Sequence, residues 1–234
     1  MARGLHCTPP RVMSTLDRAP IVSEQLVGKG IRRVPSALRH EILRKCIHLL
    51  IAFVPSLAAF DLRLTVALLA AGTILFVIAE TARRNGRPVF LISEVTVLAS
   101  RQRDSGKFVL SPVTLGVGAM LALTLYPSSA SAIAIYALAF GDGLASLAGS
   151  VFGSTKVPRT GGKTLQGSLT CFLAVLAVTF GLTRRPLPSI TIAVSATALE
   201  LLPTGDFDNI VLPVGTGLVA LLLTPLLGTV APLL

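Results

Sequence analysis

Tryptophan is absent from this sequence of 234 residues, aromatic residues make up only 5% of it and charged residues only 14%. With 52% hydrophobic residues, the chain has more apolar side chains than the core of a soluble domain of this size can bury, which excludes a soluble protein. The three cysteines, Cys7, Cys46 and Cys171, form no CxxC pair, and their odd number excludes a disulfide scaffold. The mean hydropathy of +0.76 indicates that most of the surface faces lipid.

Basic residues outnumber acidic ones by 21 to 11, giving a net charge of +10. A nucleic-acid-binding domain carries such a charge on a folded soluble surface with aromatic residues among the cations. This sequence is too apolar for such a surface, and only 5% of its residues are aromatic. Lys and Arg beside apolar runs report membrane orientation instead. The sequence therefore predicts a multi-pass membrane protein that binds no nucleic acid.

Seven apolar runs approach the roughly 17 to 25 residues that a spanning helix needs. They lie near 46–60, 64–80, 109–126, 131–152, 165–183, 188–203 and 210–230. The first run is short and reaches a full span only if the polar turn Glu41–Lys45 joins it. The predicted fold is an all-α polytopic bundle of about seven spans, with one membrane domain over 41–234.

Orientation follows from the basic residues, because 18 of the 21 fall on one side of the membrane when the N-terminus is cytosolic. This arrangement makes 1–40 a basic cytosolic arm and 81–107 and 153–164 cytosolic connections. A transit peptide is the alternative for the arm. For Val89–Ala99, an interfacial amphipathic helix and an ordered loop are both open.

Carboxylates inside apolar runs are informative, because each costs roughly 2.5–3.5 kcal/mol at the bilayer centre and needs a partner or a hydrated cavity. Glu80, Asp142 and Glu200 are in this position. Glu80 precedes Arg83 and Arg84, which favours an interfacial ion pair. Asp142 stands between two glycines, and small residues recur every fourth position after it. Such a helix can be approached closely, as a metal or phosphate site requires.

The connection that follows this helix carries Lys156, Arg159 and Lys163 and runs through Gly162 into the next helix at Thr164. Backbone amides at a helix N-terminus together with a lysine suit an anion such as a phosphate. Basic residues that serve only as topology signals are the alternative.

Glu200, Asp206 and Asp208 lie close together in the sequence around the helix-breaking Pro203, and Asn209 follows them. Mg²⁺ takes oxygen ligands, often one or two carboxylates together with substrate phosphates. The segment is therefore a candidate hard-cation site.

At the start of the first span, Glu41 and Lys45, and likewise Arg44 and His48, are i,i+4 neighbours on a helix. One side of this helix end thus combines an acid with cations. Side chains that snorkel to the membrane surface are the alternative.

In this order, these residues resemble the CTP-dependent lipid kinase family, which includes dolichol kinase, phytol kinase and CTP-dependent diacylglycerol kinase and is related to the CDP-diacylglycerol synthases. The Arg-Lys-x-x-His motif of the family matches Arg44, Lys45 and His48. Its Gly-Asp, Phe-Gly and Gly-Lys-Thr-x-x-Gly-Ser motifs match Gly141, Asp142, Gly149, Phe152, Gly153, Gly162, Lys163, Thr164, Gly167 and Ser168. Its Glu, Asp-Asn and Pro match Glu200, Asp208, Asn209 and Pro213.

The resemblance implies transfer of the γ-phosphate of CTP to the hydroxyl of a membrane lipid alcohol, with Mg²⁺ or another divalent cation. It leaves open whether the alcohol is phytol, a polyprenol or diacylglycerol. It also implies an integral protein of the prokaryotic cytoplasmic membrane with the site on the cytosolic face. The oligomeric state is open, with a homodimer among the alternatives.

The resemblance implies roles for the matched residues, and the basic connection adds Lys156 and Arg159, which match no motif of the family. Catalysis falls to Asp142, Arg44, Lys45 and Lys163, and phosphate binding to Lys156, Arg159, Gly162, Lys163, Thr164, Gly149 and Gly153. Metal binding or base duty falls to Asp142, Glu200 and Asp208, with His48 and Asn209 as further site residues.

Two other functions remain in competition. A phosphatidate cytidylyltransferase uses CTP and a lipid with the same residues, but attacks the α-phosphorus and releases pyrophosphate. A small cation-coupled transporter would line a cation path with Glu80, Asp142 and Glu200.

Overall fold

The computed structural model describes residues 36–87 and 107–227. Regular structure in these ranges is helical, apart from one isolated backbone bridge between Lys156 and Thr164. The α-helices in chain order are α1 (Ser36–Leu49), α2 (Val54–Phe60), α3 (Leu62–Arg84), α4 (Ser111–Leu125), α5 (Ser128–Tyr136), α6 (Gly143–Phe152), α7 (Leu165–Thr183), α8 (Pro186–Glu200), α9 (Asp208–Leu222) and α10 (Thr224–Leu227). Leu50–Phe53 and Gly205–Phe207 are 3₁₀ turns, and Ala137–Asp142 is a π-helical turn.

Five helical stretches in the described ranges are long and apolar enough to cross a membrane. They are Glu41–Phe60, Leu62–Arg84, Ser128–Phe152, Leu165–Thr183 and Gly205–Leu222. The two other predicted spans correspond to α4 and α8, which have only 15 residues each, fewer than the roughly 17 that a span needs. For the described residues, the predicted all-helical fold with helices long and apolar enough to span a membrane is confirmed. The count of seven spans and the cytosolic N-terminus stay predictions.

Helix α1 begins at Ser36, so the end of the segment predicted as an arm, 1–40, is helical. Residues 1–35 lie outside the described ranges. The segment Val89–Ala99, for which an amphipathic helix was one alternative, also lies outside them, as does the end of the last predicted run beyond residue 227.

Helix α3 is capped at its start, carries basic residues at its end and is mostly exposed along its length. The Asp61 side chain caps its start by accepting a hydrogen bond from the Leu64 amide at 3.0 Å. Arg83 and Arg84 in its last turn complement the negative end of the helix dipole. Only 11% of the most apolar 18-residue stretch of α3 is buried. Its Leu, Ile and Val side chains therefore mostly face outward, toward lipid.

Helix α5, the π turn and α6 form the central span, of which 61% is buried. Ala130, Ile133 and Ala137 pack toward α7, α8 and α9. Ala134 and Ala139 face the opposite side and pack with residues of α2 and α4. Small side chains on both faces allow neighbouring helices to approach closely, and this buried span carries Asp142.

Helices α4 and α9 cross in close contact near the start of α9. A Cβ atom on Gly118 would lie 2.0 Å from the Asn209 carbonyl oxygen, so only glycine fits at this crossing. Pro213, four residues after Asn209, has no N–H to donate to that carbonyl within the helix. The crossing fixes where α9 begins and therefore where Asp208 lies.

Candidate active site

A cavity of about 590 Å³ lies between the end of α6, the start of α7 and the segment that joins α8 to α9. Its volume is in the range of small-molecule sites. It is lined by Asp142, Ala145, Ser146, Gly149, Ser150, Thr160, Gly161, Gly162, Lys163, Thr164, Gly167, Glu200, Pro203, Gly205 and Asp208. The fold thus brings Asp142, Lys163 and Glu200 to one place from three separate parts of the sequence.

Three polar contacts about one helical turn apart join α1 to the central span, and we call them the α1 ladder. From the start of α1 they are Glu41 Oε1 with Ser146 Oγ (2.5 Å), Lys45 Nζ with Asp142 Oδ2 (2.5 Å) and His48 Nε2 with the Leu138 carbonyl oxygen (3.0 Å). The two helices run in opposite directions, so residues spaced by three or four on one meet residues spaced by four on the other. The ladder holds the Asp142 wall of the cavity against α1.

Lys45 and Asp142 form the middle contact of the ladder, inside the protein. The Lys45 side chain is only 2% exposed, and its ammonium also lies 3.5 Å from the Asp142 carbonyl oxygen. A charge buried in a membrane protein is tolerated when it is paired, and each of these residues supplies the partner that the other needs. Lys45 does not line the cavity itself and acts on it through Asp142.

His48 lies behind Asp142, next to the π turn. Because the Leu138 carbonyl can only accept a hydrogen bond, the Nε2 atom of His48 must carry the proton. The same Nε2 lies 3.3 Å from Asp142 Oδ2. π-helical turns are often found at functional sites, and here the turn ends at Asp142. His48 and Lys45 together restrict the orientation of the carboxylate.

Ser146 is a lining residue that sequence reasoning missed, as was its contact with Glu41. Ser146 lines the cavity and donates to Glu41, and Arg44 contacts the same Glu41 oxygen at 2.5 Å. The signal was present, because Glu41 precedes Lys45 by four residues and Ser146 follows Asp142 by four. It could be used only once the two helices were known to be antiparallel neighbours.

Lys163 lies at the other end of the cavity, beside the end of α8 and the start of α9. Its ammonium donates to the Glu200 backbone carbonyl and lies 3.2 Å from Glu200 Oε1 and 3.9 Å from Asp208 Oδ2. Ser168 Oγ donates to the other Glu200 oxygen at 3.4 Å. Lys163, predicted to bind phosphate, and Glu200 and Asp208, predicted to bind a metal, therefore meet in one cluster, which we call the Lys163 cluster.

The connection between α6 and α7 folds as a short hairpin. The Val157 amide donates to the Lys163 carbonyl at 2.8 Å, and the Leu165 amide donates to the Thr155 carbonyl at 2.9 Å. Gly161 and Gly162 have φ angles of 73° and 100°, which glycine adopts without steric cost. This turn returns the chain to the cavity and places Lys163 there.

Thr164 packs into a close contact between α6 and α7. A Cβ atom on Gly149 would lie 2.9 Å from Thr164 Oγ1, and one on Gly153 would lie 2.6 Å from Thr164 Cγ2. The Thr164 hydroxyl caps α7 by accepting from the Gly167 amide at 3.1 Å. Thr164, Gly149 and Gly153, which the resemblance assigns to phosphate, thus have packing and capping contacts in this structure.

The helix N-terminus predicted as an anion site also has acceptors from the protein itself. Leu165 donates to Thr155, Gly167 to the Thr164 hydroxyl and Ser168 to the Thr164 carbonyl. Lys156 and Arg159, two of the predicted phosphate cations, are exposed and do not line the cavity. Lys163 is the cation that the hairpin brings to the site.

Asn209 faces α4 rather than the cavity. It is 4% exposed, and its Nδ2 donates to the Thr114 hydroxyl at 3.0 Å and to the Ser111 carbonyl at 3.2 Å. It therefore fixes the start of α9, where the adjacent Asp208 enters the cavity lining. The structure gives this predicted site residue a supporting position.

Glu80 lies apart from the cavity lining. Arg83 donates to both of its carboxylate oxygens at 2.7 Å, and the Val109 amide donates to one of them at 3.1 Å. The ion pair favoured by the sequence is present, and it ties the end of α3 to the residues before α4. Glu80 therefore does not share a cavity with Asp142 and Glu200.

Three carboxylates were expected to bind a divalent cation. Among the described residues, no group of three or more His, Cys, Asp or Glu side chains is arranged to hold a metal ion. Asp142 is paired with Lys45, whereas Glu200 and Asp208 approach the same ammonium of Lys163. Two carboxylates with a backbone carbonyl beside them fit a cation that completes its shell with substrate phosphates, so the structure favours Glu200 and Asp208 over Asp142 for this role.

No family model matches the chain, and comparisons with curated proteins and with solved structures also find no match.

Proposed function

We propose that the protein is a membrane-embedded kinase that transfers the γ-phosphate of CTP to the hydroxyl of a lipid alcohol. The observation that carries this proposal is the convergence of motif residues on one cavity: Asp142, Gly149, Lys163, Glu200 and Asp208 all line it. The resemblance rests on the order of these residues in the sequence, and their shared cavity is independent of that order.

The two ends of the cavity suit the two reactants. The Lys163 cluster offers an ammonium and two carboxylates, which fits nucleotide phosphates and the divalent cation that accompanies them. Such a cation, held by Glu200 and Asp208 together with the phosphates, would neutralise charge on the transferring group. Phosphoryl transfer depends mainly on positioning and on such electrostatic stabilisation.

We assign the alcohol to the Asp142 end. The contacts from Lys45 and His48 both fall on Oδ2 of Asp142, so Oδ1 is the oxygen we assign to the substrate hydroxyl, as a hydrogen-bond acceptor and proton acceptor. Ser146, one turn away on α6 and also in the lining, is placed to contact a polar group of the same substrate. Lys45 and His48 act by holding the acceptor in place.

The lining is formed mainly by polar residues and glycines, with Ala145 and Pro203 as its apolar members. It therefore suits the nucleotide and the hydroxyl end of a lipid. Helix ends beside it expose large apolar side chains, with Phe152 72% and Leu165 58% exposed, and these would contact the bilayer. In the proposed orientation the cavity opens at the cytosolic face.

The test is phosphorylation by the purified protein in mixed micelles with Mg²⁺ and γ-³²P-labelled CTP. Phytol, geranylgeraniol, a polyprenol and diacylglycerol are supplied separately. We expect at least one of these alcohols to become labelled. Asp142→Asn should be less stable than wild type, because Lys45 loses its charged partner, but should still elute as a folded species and give no labelled lipid. Arg63→Gln, which removes a charge at the start of α3 outside the cavity lining, is the matched control and should label normally. Absence of labelled lipid with every alcohol would contradict the proposal.

A further inference from the structure

The ammonium of Lys163 lies among oxygens that would also suit a metal ion. Its neighbours are the Glu200 carbonyl, Glu200 Oε1 at 3.2 Å and Asp208 Oδ2 at 3.9 Å. Carboxylate and carbonyl oxygens are the ligands that Mg²⁺, Mn²⁺ and Ca²⁺ prefer. A divalent cation carries twice the charge of the ammonium, so at the same distance these carboxylates attract it more strongly.

We propose that Lys163 and a divalent cation compete for these oxygens, with Lys163 acting as an exchangeable stand-in for the metal. The inference rests on the proposed function, because it uses the cation that the kinase reaction requires. An ammonium and a divalent cation repel each other at the distances found here, so both cannot occupy the same set of oxygens. The displaced Lys163 is then free to contact nucleotide phosphates in the same cavity.

Local structure supports movement of Lys163. Its side chain is 20% exposed and has a flexible four-carbon stem. The preceding Gly161 and Gly162 have positive φ angles, and a Cβ atom on Gly162 would meet nothing within 4 Å. Movement is thus a matter of the Lys163 side chain, because the hydrogen bond from the Val157 amide to the Lys163 carbonyl holds the backbone of the turn.

Lys45 provides the contrast within the same site. Its side chain is 2% exposed, it lies inside α1, and its ammonium contacts both a carboxylate oxygen and the backbone carbonyl of Asp142. A metal ion would have to break the α1 ladder to displace it. We therefore assign the exchange to Lys163 and a fixed structural charge to Lys45.

The proposal predicts an increase in metal affinity when the lysine is removed. Mn²⁺ binding to the full chain in non-ionic detergent is measured by electron paramagnetic resonance of the free ion, without nucleotide. Lys163→Met should bind Mn²⁺ about tenfold more tightly than wild type, or more, because the competing charge is gone. Lys163→Arg, which keeps the charge, should show no gain. Adding Glu200→Gln to Lys163→Met should remove the gain.

Lys107→Met is the matched control, because Lys107 is exposed and lies outside the cavity lining. It should leave Mn²⁺ binding at the wild-type value. Unchanged or weaker binding by Lys163→Met, or an equal gain with Lys107→Met, would overturn the proposal.

A measurement on the wild-type protein avoids the risk that Lys163→Met fails to fold. Saturating Mg²⁺ should increase acylation of Lys163 by an amine-reactive reagent, measured by mass spectrometry, because the displaced ammonium loses its carboxylate partners. Labelling of Lys107 should not change. Equal or lower labelling of Lys163 with Mg²⁺ would overturn the exchange.

Neither the Mn²⁺ binding measurement nor the acylation measurement uses CTP. Exchange without lipid phosphorylation would therefore refute the kinase alone, and phosphorylation without exchange would refute this inference alone.

Discussion

Lys45 and Asp142 are 97 residues apart in the sequence, yet Nζ of the lysine and Oδ2 of the aspartate are 2.5 Å apart inside the protein. This ion pair is the centre of the α1 ladder. It couples the first span to the π turn of the central span, and Asp142 also lines the cavity. The fold and the candidate active site thus depend on the same pair.

Substitutions at the two partners of this pair should cost less stability together than the sum of their separate costs. Lys45→Met leaves the Asp142 carboxylate buried and unpaired, which costs about 3–5 kcal/mol in comparable buried pairs. In Lys45→Met/Asp142→Leu no charge remains, so the double variant should be less destabilised than the sum of the single variants. Thermal unfolding of the wild type, Lys45→Met, Asp142→Leu and the double variant in detergent gives the interaction free energy between the two residues. Purely additive changes would show that the two charges do not stabilise each other.

Lys163→Arg should impair the reaction although it preserves charge. A guanidinium is larger and planar, whereas the cluster of Glu200 and Asp208 surrounds a compact ammonium. We expect a higher KM for CTP or a lower kcat, with Lys163→Ala worse than Lys163→Arg. Lys107→Arg, outside the cavity lining, is the control and should retain wild-type kinetics. If Lys163→Arg also behaves as wild type, Lys163 serves only as a topology signal.

Gly118→Ala should displace α9 and, with it, Asp208. The added Cβ would lie 2.0 Å from the Asn209 carbonyl oxygen, so the α4–α9 crossing must separate. We expect loss of stability of about 1–3 kcal/mol, typical of overpacking, together with reduced phosphorylation. Gly72→Ala is the control, because nothing lies within 4 Å of its added Cβ. Equal unfolding temperatures for the two variants would contradict the packing described for this crossing.

Ser154 and Arg63 should lie on opposite sides of the membrane. Ser154 is in the hairpin between α6 and α7, and Arg63 is at the start of α3. In a background without Cys7, Cys46 and Cys171, Ser154→Cys should resist an impermeant maleimide in intact cells and Arg63→Cys should react. Labelling of Ser154→Cys from outside would place the cavity on the other face.

Five of the seven apolar runs correspond to helices long and apolar enough to cross a membrane, and these could be predicted because composition and length are visible in the sequence. The residues of the site were also recognisable, since Asp142 and Glu200 are carboxylates in apolar segments. The contacts of Lys45 with Asp142 and of Glu41 with Ser146 were not recognisable. Both pairs are separated by the same spacing of four residues on each helix, but this match has meaning only when the two helices are known to pack antiparallel. The π turn that ends at Asp142 has no local sequence signature that would have revealed it.

Individual roles were harder to predict than membership of the site. The family resemblance assigns Thr164 to phosphate binding. In the structure its hydroxyl caps α7 by accepting from the Gly167 amide, and it packs closely against Gly149. Lys156 and Lys163 are both lysines of the same connection, yet the hairpin directs only Lys163 into the cavity lining. Such differences depend on turn geometry and close packing, which residue type and spacing do not specify.

In the proposed reaction, the γ-phosphoryl group of CTP is transferred to a lipid hydroxyl at this cavity. The decisive measurement uses CTP labelled with ³²P at the γ position and with ³H in the cytosine, incubated with the purified protein and the lipid panel extended by phosphatidate. We expect lipid that carries ³²P and no ³H, with no such product from Asp142→Asn. Lipid that carries ³H, with ³²P released as pyrophosphate, would contradict it and identify a cytidylyltransferase.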